Sequence, residues 1–188
     1  VKIVVNAKTV PMIKGYHGTP QERLHVVADG DSLSLGSCSL SFYMVPMVHW
    51  PEVMMTYVPE EKTLFSADAF GSFGVYSNYA AHWIDEARRY YINICGKYGA
   101  QVQAILKKAS QLDIKMICPL HGPILKENLG HYIEKYDIWS KYETESEGVY
   151  IACASIHGNT LKACEQLKRI LEEKGAKKVV LADLSRED

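Results

Sequence analysis

The chain opens on short apolar runs of strand length and changes to helical spacing after its first third. Strand patterns occupy 2–6, 23–28, 31–35, 39–45, 53–58 and 62–66, bounded by Gly, Pro, Asp and Ser. Asp29-Gly30-Asp31, between the second and third of these, predicts a hairpin turn, so the region reads as a β-meander. From about Ser77 the period lengthens. Trp83, Ala87, Tyr90, Tyr91 and Ile94 recur at helical spacing between Ala80 and Tyr98, and Val102, Ile105, Leu106 and Ala109 continue in a second helix. A buried strand, Ile114–Cys118, precedes a third helix over about 130–142 that carries Tyr132, Ile133, Tyr136 and Trp139.

Beyond the acidic, polar run Tyr142–Gly148 a second apolar pattern begins. The strand Val149–Cys153, the loop Ser155–Thr160, a helix with Leu161, Cys164, Leu167 and Leu171, and a strand over 177–183 follow in turn. That order predicts the opening βαβ unit of a doubly wound parallel sheet. The expected organisation is a first domain over 1–142, a linker over 143–148 and a second domain over 149–188. The chain starts at Val1 inside a strand pattern and stops soon after another, so the sequence is expected to be an internal portion of a longer protein.

Composition narrows the classes. With 188 residues, 47% of them hydrophobic, the chain can bury a core of its own. A formal charge of -1 gives no electrostatic reason for nucleic acid or an anionic membrane as partner. No apolar run approaches the roughly 18 residues of a membrane helix, and no signal-peptide pattern is present. The five cysteines are odd in number and form no C-x-x-C, which fits a reducing cytoplasm better than a disulfide framework or a zinc knuckle.

Candidate chemistry lies at strand ends. His49 stands in Pro46-Met47-Val48-His49-Trp50-Pro51, Asp68 in Phe65-Ser66-Ala67-Asp68-Ala69-Phe70-Gly71, and His121 in Pro119-Leu120-His121-Gly122-Pro123. Each is a polar residue beside Pro or Gly at the end of an apolar run, where a rigid sheet presents its loops. They lie 19 and 53 residues apart, so only the fold can bring them together. Imidazole with carboxylate suits zinc, iron or manganese, although singly each is also an ordinary turn residue.

A second candidate is Ser155, Ile156, His157, Gly158, Asn159 and Thr160, leading from a strand into a helix N-terminus. Such a loop offers unpaired amides and the helix dipole to a phosphate, or Ser155 or Asn159 simply caps the helix. His17, His25, His82 and His131 have no partner at metal spacing and receive no role. The helical aromatics read as core packing, and Cys118 as a small core hydrophobe.

Together the segments Met47–Pro51, Leu64–Gly71, Arg89–Ile94, Cys118–Pro123 and Tyr136–Trp139 resemble the flavodiiron proteins, and the resemblance spans essentially the whole chain. It implies an α/β chain: the C-terminal half of a metallo-β-lactamase-like αββα sandwich, then the first βαβ unit of a flavodoxin-like sheet. The family holds two iron ions and FMN, and passes electrons from FMN to iron to reduce dioxygen to water or nitric oxide to nitrous oxide. It also implies an electron donor such as rubredoxin or a reductase, and a head-to-tail homodimer.

On this match His49 and His121 each bind a different iron, Asp68 bridges the two, and Ser155–Thr160 hold the FMN phosphate. The family's other ligands come from an H-x-E-x-D-H segment that this sequence does not contain, so the isolated chain is expected to be inactive. Two alternatives stay open: a hydrolase of the metallo-β-lactamase superfamily with a zinc pair, and a binding or interaction module without catalysis.

Overall fold

Alternating inward and outward residues build the largest sheet. β3 (Ser32–Ser34), β4 (Ser39–Met44), β5 (Met54–Val58) and β6 (Thr63–Ala67) run antiparallel in sequence order, and β7 (Met116–Pro119) adds to β6 in parallel. The computed structural model describes residues 1–74 and 79–185, the side chains of 79–82 excepted. Ser77, where the helical period was expected to begin, and the His82 side chain lie outside the described residues. The chain divides into two compact units, Val1–Glu143 and Thr144–Asp188.

The expected meander is corrected at its start. β1 (Ile3–Asn6) and β2 (Leu24–Val27) form a separate two-stranded sheet and run parallel, joined by helix α1 (Thr9–His17). The reason lies in Asn6. Its side-chain oxygen accepts the N–H groups of Lys8 and Thr9, turning the chain into a helix that Gly18 then closes in the left-handed conformation. Asp29-Gly30 turns as expected, but β2 and β3 do not pair. Asp29 instead accepts the Met44 N–H at 2.7 Å and an ion pair from Lys108 at 2.9 Å.

The helices cover one face of the five-stranded sheet. α2 (Tyr79–Tyr90) does not run on to Tyr98 as one α-helix; it widens into a π-helical turn over Tyr91–Cys95, tightens over Gly96–Tyr98, and re-forms as α3 (Gly99–Ala109). With α4 (Leu129–Ser140) these elements bury Trp83, Ala87, Tyr91, Cys95, Val102, Ile105, Tyr136 and Trp139 against Met55, Tyr57, Leu64 and Ile117 of the sheet. The start of α3 touches the end of α4. A Cβ on Gly99 would stand 2.4 Å from the Ser140 carbonyl oxygen, so only glycine fits there.

In the second unit β8 (Val149–Cys153) and β9 (Val179–Asp183) pair in parallel, with α5 (Asn159–Glu173) between them in sequence. The chain as a whole is mixed α/β. Among the described residues no helix is long and apolar enough to cross a membrane.

Candidate metal centre and phosphate loop

Main-chain hydrogen bonds set Asp68 and His121 side by side. β6 and β7 pair in parallel, and just past their ends the Leu120 N–H donates to the Ala67 carbonyl at 2.8 Å. Beyond that the Ser72 N–H donates to the His121 carbonyl at 3.2 Å, closing the two loops on each other. The Asp68 turn is also held from within, because the Ser66 hydroxyl donates to the Ala69 carbonyl at 2.7 Å.

His49 arrives from the β4–β5 connection. Val45 and Val48 are fully buried on either side of its approach, and the Met47 N–H donates to the Trp50 carbonyl at 2.8 Å. Apolar anchors thus fix the loop while His49 stays partly exposed. Six non-glycine residues among those described have left-handed backbone, and three of them, Met47, Ala67 and Phe70, lie within two residues of His49 or Asp68. Strain of this kind persists where surrounding structure over-determines it, and it concentrates at functional sites.

The three side chains converge. His49 Nε2 stands 3.5 Å from Asp68 Oδ2, and His121 Nε2 stands 3.5 Å from Asp68 Oδ1. Both separations exceed the usual hydrogen-bond range. They match the spacing of two donors across one ion, since ligands about 2.1 Å from a tetrahedral metal stand about 3.4 Å apart. Each imidazole faces a different oxygen of one carboxylate, which is the arrangement of a bridge between two ions. It is not a single-ion cage: among the described residues no group of three or more His, Cys, Asp or Glu is arranged to hold one metal ion. The donor set suits the bridging part of a metal pair, with one imidazole and one carboxylate oxygen on each side.

Tyr90 forms the floor of this site, a role that sequence reading missed. It is buried, its ring lies 5.8 Å from that of His121 and 5.1 Å from that of Phe73, and a Cβ on Gly71 would press on it at 3.0 Å. Among the described residues its hydroxyl has no hydrogen-bond partner. Burial, and then the charge of Asp68, push the Tyr90 phenol well above its usual range. Burial pushes the nearby Cys95 thiol up to about 12, again with help from Asp68. Tyr90 showed in the sequence through its helical spacing and as part of the Arg89–Ile94 segment, and neither signal separates a core residue from a site floor.

Beside His49 a cavity of about 310 Å³ opens, lined by Met47, His49, Trp50, Ile94, Lys97 and Tyr98 among others. Trp50, half-exposed, forms part of its wall. The leftover histidine His131 packs edge-on against Tyr132 and near Trp83, as a packing residue would.

In the second unit the Ser155–Thr160 loop follows β8 and enters α5 through Gly158, whose φ is +80°. Ser155 is buried and structural: its hydroxyl accepts the Leu161 N–H at 3.2 Å, and its own N–H points at Asp183 Oδ1 at 3.3 Å. Asn159 and Thr160 open the helix, whose first N–H groups have no intrahelical acceptor. Ile156 is 86% exposed and His157 is exposed, so neither is buried in the unit.

Comparison with known proteins follows the same lines. The family described as ODP family beta lactamase matches residues 1–122. The chain is 32% identical over 155 residues to a nitric oxide reductase of Moorella thermoacetica, covering 78% of this chain and 39% of that one. The flavodiiron protein from Giardia intestinalis superposes with a TM-score of 0.87 at 30% identity, covering 98% of this chain and 47% of the other. The rubredoxin oxygen:oxidoreductase of Desulfovibrio gigas gives a TM-score of 0.85 at 26% identity, with 96% and 47% covered. The chain spans less than half the length of the curated relatives it matches.

Proposed function

The chain belongs to the flavodiiron family, and we propose that it forms part of an oxidoreductase that reduces dioxygen to water or nitric oxide to nitrous oxide at a di-iron site fed by FMN. The observation that carries this reading is the Asp68 carboxylate held between two imidazoles, 3.5 Å from each through different oxygens. In the finer reading, residues 1–142 are the C-terminal half of a metallo-β-lactamase-like sandwich and 149–188 the first βαβ unit of a flavodoxin-like domain.

His49 and His121 would each hold one iron, Asp68 would bridge the pair, and the metals, when bound, would supply binding and electron delivery to the small substrate. The chain's own residues do three things. The left-handed turns at Met47, Ala67 and Phe70 aim the ligands before any ion arrives. Tyr90 closes the site from below, and because its phenol holds its proton at neutral pH it can act as a hydrogen-bond donor. The buried wall of Val45, Val48 and Phe70 keeps water from the inner side.

The loop Ser155–Thr160 would hold the FMN phosphate through the free N–H groups at the start of α5, with Ser155 and Asp183 shaping the loop. We further propose a rubredoxin or a reductase as electron donor, a cytoplasmic setting, and a head-to-tail homodimer for the whole protein. Two protein ligands per ion are fewer than the three that a catalytic metal normally keeps, so the 188-residue chain alone is expected to hold iron weakly and to be inactive. Iron content after anaerobic reconstitution tests this. Near two irons per chain with oxygen turnover would overturn the incompleteness, and zinc retention with ester hydrolysis would favour a hydrolase.

A further inference from the structure

The second unit contains a pair of thiols that the reading above does not use. Cys153 ends β8 and Cys164 lies in the second turn of α5; both are free. Along β8 the alternation buries Ile151 and Cys153 on one face. Along α5 the least exposed residues are Leu161, Cys164, Lys168 and Leu171, at spacings of three and four, so this stripe faces the sheet. The two side chains therefore enter the interface between β8 and α5 from opposing surfaces.

We infer that Cys153 and Cys164 are a redox-active dithiol, which a low-molecular-weight disulfide converts to an intramolecular disulfide joining β8 to α5. The strand-facing-helix placement puts both thiols in one interface, which an intramolecular disulfide requires. Cys164 is the half-buried partner and so the first to be reached, whereas Cys153 is buried and its thiol is raised, first by burial and then by the Cys164 contact. Cys164 as thiolate attacks one sulfur of RSSR, whose S–S bond breaks and releases one thiolate. Cys153 then loses its proton and attacks the Cys164 sulfur, releasing the second. The two cysteines lose two electrons and two protons, and the small disulfide becomes two thiols.

The bond would fasten the end of β8 to α5 two residues before Ser155, whatever the Ser155–Thr160 loop binds. Cys95 provides an internal contrast, since it is fully buried with its thiol held at about 12.

The test uses the full 188-residue chain, reduced and then incubated natively with oxidised glutathione, alkylated, digested and read by mass spectrometry. The expected result is a linked peptide pair carrying Cys153 and Cys164, lighter by two hydrogens, in most of the chains, while Cys95 remains a thiol. Glutathione remaining on Cys164 beside an alkylated Cys153, or no linkage at any glutathione ratio, would overturn the inference. Cys153→Ser adds a second arm: a lasting glutathione adduct on Cys164 supports the order of attack, and its absence in a folded variant refutes it.

Discussion

Replacing Tyr90 by Phe isolates one atom whose energetic sign the structure fixes. The hydroxyl sits on a residue 3% exposed and has no hydrogen-bond partner among the described residues. A buried hydroxyl left unsatisfied costs about 1–3 kcal/mol. The ring itself is well supported, by Phe73 at 5.1 Å, by His121 at 5.8 Å and by the close approach of Gly71, and phenylalanine keeps every one of those contacts. Tyr90→Phe is therefore expected to stabilise the first unit by about 1–2 kcal/mol. For a unit of this size a urea dependence of about 2 kcal/mol per molar raises the unfolding midpoint by about 0.5–1 M. Equilibrium urea unfolding at pH 7, followed by tryptophan fluorescence, reads it directly. A midpoint that falls would refute the reasoning, since it would mean that the hydroxyl is satisfied, for instance by an enclosed water. Tyr91→Phe, whose hydroxyl is likewise buried and without a partner among the described residues, should move in the same direction.

The tyrosines also set an alkaline limit: burial raises the phenols of Tyr90, Tyr91 and Tyr136, so the stability they contribute is complete below about pH 10 and lost as pH rises above it. Tyrosinate absorbance should then appear together with unfolding, and three phenols titrating in a still-folded chain would contradict this. Asp29 works at the other end. Burial raises its carboxyl, but bonds from Lys108 and Met44 outweigh this and hold it below the usual value of 3.8, so their support is present above that value and lost as pH falls through and below it. Wild type and Asp29→Asn should differ in urea midpoint at pH 7 and converge in acid; a constant gap counts against the assignment. Gly99→Ala, which drives a methyl to within 2.4 Å of the Ser140 carbonyl oxygen, should cost about 1–3 kcal/mol in thermal or urea unfolding, and a neutral effect would show that α3 and α4 can separate there. Asp68→Asn should lower iron retained per chain while leaving the urea midpoint nearly unchanged; unchanged iron would remove Asp68 from the ligand set.

How much of this was legible beforehand depended on how local the cause was. β4, β5 and β6 follow from alternation, and their register from one buried face. The β1–α1–β2 crossover was hidden because α1 buries none of its residues and carries Pro11 and Gly15, so no helical stripe marks it. The break of the long helix at Tyr91 was hidden too, since a π-helical turn keeps apolar residues close to helical spacing. At the site, Pro and Gly next to His49, Asp68 and His121 flagged strand-end loops, and the structure brings the three together. Their distances depend on the parallel β6–β7 pairing between segments 53 residues apart, which no local pattern encodes. Tyr90 escaped because a helix face that packs and a helix face that floors a site share one periodicity.

That same β6–β7 pairing has a consequence for how the protein can vary. Asp68 and His121 are spaced by main-chain bonds at the tips of two adjacent strands, so their separation is set by that pairing and not by the length of the chain that joins them. Insertions or deletions in the exposed turns of that segment can remodel the surface while the two anchor points keep their separation, so long as the buried helix faces and Tyr90 stay in place. The chemistry at the rim and the architecture around it are thereby free to diverge at different rates.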